Sequence, residues 1–127
     1  ILSFIRIDEG AEIRIGDNAG LSNLSLRAKI KIVIGDNVKI GADTLILDSD
    51  IHSIDFLQRR NSETDSINSK TAPVFIGDDV FIGTRCIITK GVTIGKRSVV
   101  AAGSVVNKSI PENEIWGGNP AKFIKKL

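Results

Sequence analysis

From Ile76 to Pro111 the chain divides into six-residue blocks: IGDDVF, IGTRCI, ITKGVT, IGKRSV, VAAGSV and VNKSIP. An aliphatic residue opens each block: Ile76, Ile82, Ile88, Ile94, Val100 and Val106. Four positions on stands a small or β-branched residue, or Cys: Val80, Cys86, Val92, Ser98, Ser104 and Ile110. A helix would repeat every ~3.6 residues and a lone strand every two. A fixed period of six fits neither and marks a repeat architecture. Each block predicts a short strand and a corner, and three blocks make one coil. The apolar side chains then point into a bore and stack on those about 4.8 Å above and below. The expected fold is an all-β solenoid, a parallel β-helix.

The pattern reaches toward the N-terminus. IGDNAG begins at Ile15, and IGDNVK, IGADTL and ILDSDI follow from Ile34, with Val38 and Thr44 expected inward. Ile15 and Ile34 are 19 residues apart, one more than three blocks. An extra residue is therefore expected at a corner between Leu24 and Ile32. The blocks stop at His52, and a polar segment, HSIDFLQRRNSETDSINSKT, takes over. A loop this long (about 52–73) in a compact solenoid is either a solvated flap or one that folds over a neighbour or a substrate. Ile46 and Ile76 share the same phase, so the loop is an excursion within a single domain, 1–127. Pro111 cannot donate to a ladder and is expected to end it. WGGNPAKFIKKL then predicts a turn at Gly117 and Gly118 and a short C-terminal α-helix over about 119–127. Asn119 would cap it, Pro120 would take its first position, and the lysines would lie toward its C-terminal end.

Composition narrows the function classes. The chain of 127 residues carries a net charge of +2 with scattered basic residues, which gives no reason to expect nucleic acid. No apolar run approaches the roughly 20 residues of a membrane span, and no signal peptide is visible. One Cys, at an inward position, forbids an internal disulfide and fits a reducing, cytoplasmic compartment. As a nucleophile Cys86 has little support, because the repeat alone explains a small apolar residue there. With no Met, even at position 1, the N-terminus reads as trimmed or incomplete.

The blocks, the DSDIHSID segment with its loop, and the closing GVTIGKRSVVAAGSVVNKSIP…WGGNPAKFIKKL together carry a resemblance. The chain resembles the hexapeptide-repeat acyltransferases of the left-handed parallel β-helix fold, in the branch of the maltose, galactoside and polysaccharide O-acetyltransferases. Left-handedness is implied by the resemblance alone, since parallel crossovers are otherwise right-handed. The resemblance implies an acetyl-CoA-dependent O-acetyltransferase acting on a hydroxyl of a sugar-like acceptor. Acetyl-CoA is a co-substrate and no metal is required. The resemblance also implies a homotrimer with active sites shared between subunits.

His52, the only histidine, matches the family's general base. Imidazole is the side chain able to take a proton at neutral pH, here from the acceptor hydroxyl as it attacks the thioester. Asp50, two residues earlier, is a candidate to orient the imidazole or to bind the acceptor, and Asp48 would do the same if the backbone bends. For both, solvation of a corner is the plainer alternative. Asn23 matches a region where relatives carry an acceptor-binding Asn. Arg59 and Arg60 are candidates to meet an anionic acceptor. Toward CoA the matching positions are Phe81, Thr84, Ala102, Asn107 and Lys108, then Lys122 and Lys125. Lysines meet phosphate as point charges, where Arg would grip it bidentately. Trp116 is expected to pack under the C-terminal helix. Rival readings are an N-acetyltransferase of an amino sugar or antibiotic and a non-catalytic scaffold. A γ-type carbonic anhydrase needs three histidines around zinc, which one His per chain does not supply.

Overall fold

The computed structural model describes residues 3–127. The chain winds as five coils. The first is β1 (Phe4–Ile7), β2 (Glu12–Ile15) and β3 (Gly20–Leu21), and the second is β4 (Ser25–Ala28), β5 (Lys31–Ile34) and β6 (Lys39–Ile40). The third opens with β7 (Leu45–Leu47), leaves the solenoid through α1 (Phe56–Arg59) and α2 (Ser62–Asn68), and returns as β8 (Val74–Ile76) and β9 (Phe81–Ile82). The fourth is β10 (Ile87–Ile88), β11 (Thr93–Ile94) and β12 (Val99–Val100). The last holds β13 (Val105–Val106) and β14 (Glu114–Gly118), followed by β15 (Ala121–Lys126).

Equivalent strands stack into three walls: β1-β4-β7-β10-β13, β2-β5-β8-β11 and β3-β6-β9-β12-β14-β15. Every pairing is parallel except β14 with β15. The register follows the blocks. Leu26, Ile46, Ile88 and Val106 form one inward column. Ile34, Ile76 and Ile94 form the second. Leu21, Ile40, Ile82, Val100 and Trp116 form the third. The small positions, from Val38 and Thr44 to Cys86, Ser98 and Ser104, are buried at the corners. Gly83 shows why glycine opens a corner: a Cβ there would lie 2.6 Å from the Ala102 backbone nitrogen.

The slip is spread over two corners: Leu26 to Ile34, through the corner of Lys29 and Ile30, runs two residues longer than a block, and Leu21 to Leu26 runs one shorter. Two expectations fail near the C-terminus. Pro111 does not end the ladder; it stands in a corner, and β14 continues the third wall beyond it. Residues 119–127 are not a helix, because Ala121–Lys126 folds back antiparallel on β14. A two-turn helix is marginal in water. The open edge of β14 offers the same residues a ladder of backbone hydrogen bonds instead. The hairpin does close the C-terminal mouth: Trp116 packs on the core and Ala121 is buried. At the N-terminal end no described residue covers Ile5, Ile7 and Ile15, which are exposed although they occupy inward columns. No helix among the described residues is long and apolar enough to cross a membrane.

Candidate active site

His52 lies at the corner between the first and second walls, where the chain leaves the third coil. Its ring is mostly solvent-exposed, and Nδ1 stands 2.6 Å from Oδ2 of Asp65 on α2. The other Asp65 oxygen accepts the Ser53 N–H at 2.6 Å. Those two bonds, the imidazole first, hold the Asp65 carboxyl below its ordinary value of 3.8. A carboxylate at Nδ1 places the proton of the neutral ring on that nitrogen. Nε2 is left as a lone-pair acceptor. An imidazole oriented by a carboxylate, with its second nitrogen open, is a geometry that general-base chemistry can use.

Local chemistry builds the loop that carries Asp65. Asp55 caps α1 by accepting the Leu57 N–H, and Asn61 caps α2 by accepting the Glu63 N–H, each at 2.9 Å. Arg59 Nη1 donates to the Ser53 carbonyl at 2.9 Å and to the Ile54 carbonyl at 3.3 Å. Lys29, on the second coil, donates to Ser66 O and Ser69 Oγ and pins the end of α2. Arg59 is thus spent inside the loop, whereas Arg60 stacks over the Phe56 ring at 5.2 Å.

The two nearby aspartates differ from expectation. Asp48 is fully buried. Its Oδ1 accepts the Lys29 N–H at 2.8 Å, and its Oδ2 accepts those of Ile30 and Lys31 at 2.7 Å each. It caps the slipped corner, and its complete burial keeps it out of an acceptor's reach. Asp50 does not hold the imidazole; its carboxylate accepts from Lys90 Nζ at 2.7 Å. The imidazole partner is Asp65, which sequence reading missed. The segment holds three carboxylates, Asp55, Glu63 and Asp65, and spacing gives no reason to choose among them.

The CoA candidates fall on two sides of one chain. Asn107 and Lys108 follow β13 at the His52 corner, two coils along, with Lys90 between. They share a cavity of about 390 Å³ with Lys122, Trp116, Pro120, Ala121 and Phe123. Lys125 is exposed on β15 outside that lining. Phe81 is exposed on the third wall, and Thr84 and Ala102 are exposed at the corner between the third and first walls. Asn23 shares that corner, where its Nδ2 donates to Asp43. One chain therefore brings His52, Asp65, Asp50 and Lys90 together, but not His52 with Phe81, Thr84, Ala102 or Asn23. Cys86 is buried, and its burial pushes the thiol up, away from nucleophilic chemistry.

Residues 73–108 match the family model described as the hexapeptide repeat of succinyl-transferase. The chain is 38% identical over 119 residues to the galactoside O-acetyltransferase of Escherichia coli, covering 93% of this chain and 56% of that protein. The crystal structure of a hexapeptide-repeat acetyltransferase of Vibrio cholerae complexed with acetyl-CoA superposes with a TM-score of 0.83 at 40% identity. It covers 97% of this chain and 64% of that one. A maltose O-acetyltransferase of Clostridium difficile gives a TM-score of 0.76 at 38% identity, covering 97% and 63%. The chain thus spans between 56% and 64% of the length of these relatives. The repeat register, the three parallel walls and these likenesses agree: the chain carries the hexapeptide repeat and is similar along nearly its whole length to hexapeptide-repeat acetyltransferases of the left-handed β-helix fold, among them proteins named galactoside and maltose O-acetyltransferase.

Proposed function

We propose that this chain moves the acetyl group of acetyl-CoA to a hydroxyl of a sugar or polysaccharide precursor, with His52 as general base. The observation that carries the reading is the His52–Asp65 pair at 2.6 Å, which leaves Nε2 free to take a proton. Acetyl-CoA supplies the activated acyl group as a thioester. The acceptor O–H gives its proton to Nε2 as its oxygen bonds to the acyl carbon. The carbon–sulfur bond breaks, and the proton passes on to the departing CoA sulfur. No acyl-enzyme is needed, so no nucleophilic Ser or Cys is required. Charge developing on the carbonyl oxygen calls for an N–H donor, for which a coil backbone is suited.

A site completed by a neighbouring subunit accounts for the two-sided placement. His52 with Asn107, Lys108 and Lys122 lies along one edge of the prism, and Phe81, Thr84, Ala102 and Asn23 lie on another. In a closed ring of three copies, one edge of each chain faces a different edge of the next. Phe81 then offers an apolar wall to the pantetheine arm, and Lys108, Lys122 and Lys125 offer charge to the phosphates. A free buried thiol and dependence on acetyl-CoA fit the cytoplasm. The test is a panel of glycosides, free sugars and amino sugars with acetyl-CoA, run on wild type and His52→Ala. Acetylation of a hydroxyl that falls by about a hundredfold or more in His52→Ala supports the reading. Undiminished turnover in that variant removes the base assignment, and selective amine acetylation redirects the acceptor class.

A further inference from the structure

Ile51, directly before His52, lies in the left-handed backbone region with φ +69°. The other non-glycine residues in that region are Asn, Asp or Arg, mostly at the coil corners. For a β-branched residue this conformation is a genuine outlier. Such strain persists only where the surroundings over-determine it, and it concentrates at functional sites.

Here the surroundings grip both sides of Ile51. Upstream, the Asp50 N–H donates to the Lys70 carbonyl at 3.0 Å, and the Asp50 carboxylate accepts from Lys90 Nζ at 2.7 Å. The Ile51 N–H itself reaches Ser49 Oγ at 3.3 Å. Downstream, His52 Nδ1 and the Ser53 N–H both engage Asp65. Asp65 is fixed separately, through α2 and its tie to Lys29. Lys90 belongs to the corner after β10, one coil beyond His52. Its ion pair therefore fastens the loop root to a part of the solenoid different from the one that holds α2.

We infer that Lys90 is a positioning residue for His52: by holding Asp50 it keeps Ile51 in the left-handed turn that carries the imidazole to Asp65. The inference rests on the reading of His52 as the base. Without the Lys90 contact Ile51 relaxes to an ordinary conformation, and the ring parts from a carboxylate that stays behind.

The test compares wild type with Lys90→Ala, Ile51→Asn, the double variant, and Lys90→Arg as rescue. Asn enters the left-handed region readily, so it removes the strain that Lys90 holds in check. Lys90→Ala is expected to lower kcat about tenfold with the acetyl-CoA KM unchanged, and to cost less than about threefold in the Ile51→Asn background. Lys90→Arg recovers most of the rate. Because the sequence has one histidine, nitrogen-15 NMR reads this imidazole alone. Its Nδ1–H tautomer becomes a mixture in Lys90→Ala and returns in the double variant. Equal losses in both backgrounds overturn the inference. So does a rise in the acetyl-CoA KM with kcat and tautomer unchanged, which makes Lys90 a phosphate contact. Lys90→Gln replaces Lys90→Ala should the latter not fold. If His52→Ala keeps full turnover, the base assignment fails, and the tautomer measurement still judges the Lys90 clamp on its own.

Discussion

Replacing Asp48 by Ala asks whether this residue serves the acceptor or the fold. Three backbone N–H groups donate to its carboxylate, at 2.8, 2.7 and 2.7 Å, and the residue is inaccessible to solvent. A hydrogen bond to a charged group contributes about 1.5–3 kcal/mol, and a buried donor left alone costs about 1–3 kcal/mol. Lys29, Ile30 and Lys31 lie toward the surface, so water recovers part of that cost. The three together come to about 3–5 kcal/mol. For a chain of this size, that lowers Tm by about 10–20 °C at fixed protein concentration. Asp48→Asn keeps one acceptor oxygen and turns an NH₂ toward a single donor. Its loss is about 1–2 kcal/mol, and it remains folded for kinetics. Differential scanning calorimetry gives the shifts, and acetyl transfer at a temperature well below both transitions gives acceptor KM. The reasoning predicts a large Tm loss for Asp48→Ala and an acceptor KM within about twofold of wild type for Asp48→Asn. A Tm of Asp48→Ala within about 2 °C of wild type would refute it. So would an acceptor KM raised more than about tenfold in an Asp48→Asn variant of unchanged Tm.

Asp65→Asn is expected to lower kcat by about ten- to a hundredfold, with the acetyl-CoA KM little changed, because it removes orientation of the base and not a substrate contact. The folded-state pKa of Asp65 is depressed, so its contribution to stability is fully present above the ordinary value of 3.8 and is lost as pH falls through the lowered one. Acid unfolding curves of wild type and Asp65→Asn should therefore converge below that window, and a constant gap down to the lowest pH would contradict the pairing. Lys108→Ala and Lys122→Ala are each expected to raise the acetyl-CoA KM about three- to tenfold at low salt and less at high salt, since exposed charges are screened. Steady-state kinetics at two ionic strengths measures this, and a salt-independent effect would point to packing in the shared cavity. Cys86, buried in the bore with its thiol pushed up, should resist alkylation in the folded protein and react on denaturation; rapid native labelling would show that the coils open there.

The block pattern alone was enough for the walls and for the inward columns of the regular coils, from Ile46 through Val106 and from Ile34 through Ile94. The reason is physical. A solenoid residue touches mainly its equivalents one coil away, so periodicity along the chain is contact in space. His52 stands where the pattern breaks, but periodicity gave it no role; the expectation for it came from the resemblance and from its being the only histidine in the sequence. Periodicity failed wherever a contact joined residues outside the repeat. Asp65 reaches His52 through a loop whose two short helices are held by caps and by Lys29, and no period foretells that fold. Lys90 reaches Asp50 across a coil boundary. Asp48 is indistinguishable in sequence from a solvated corner until the slipped corner of Lys29 and Ile30 turns its N–H groups onto it. The C-terminal segment reads locally as a capped helix, yet the open edge of β14 outcompeted that propensity. Periodicity in the sequence therefore determined the stack. Only the tertiary structure decided what holds the His52 imidazole in line, because those partners come from separate coils and an aperiodic loop.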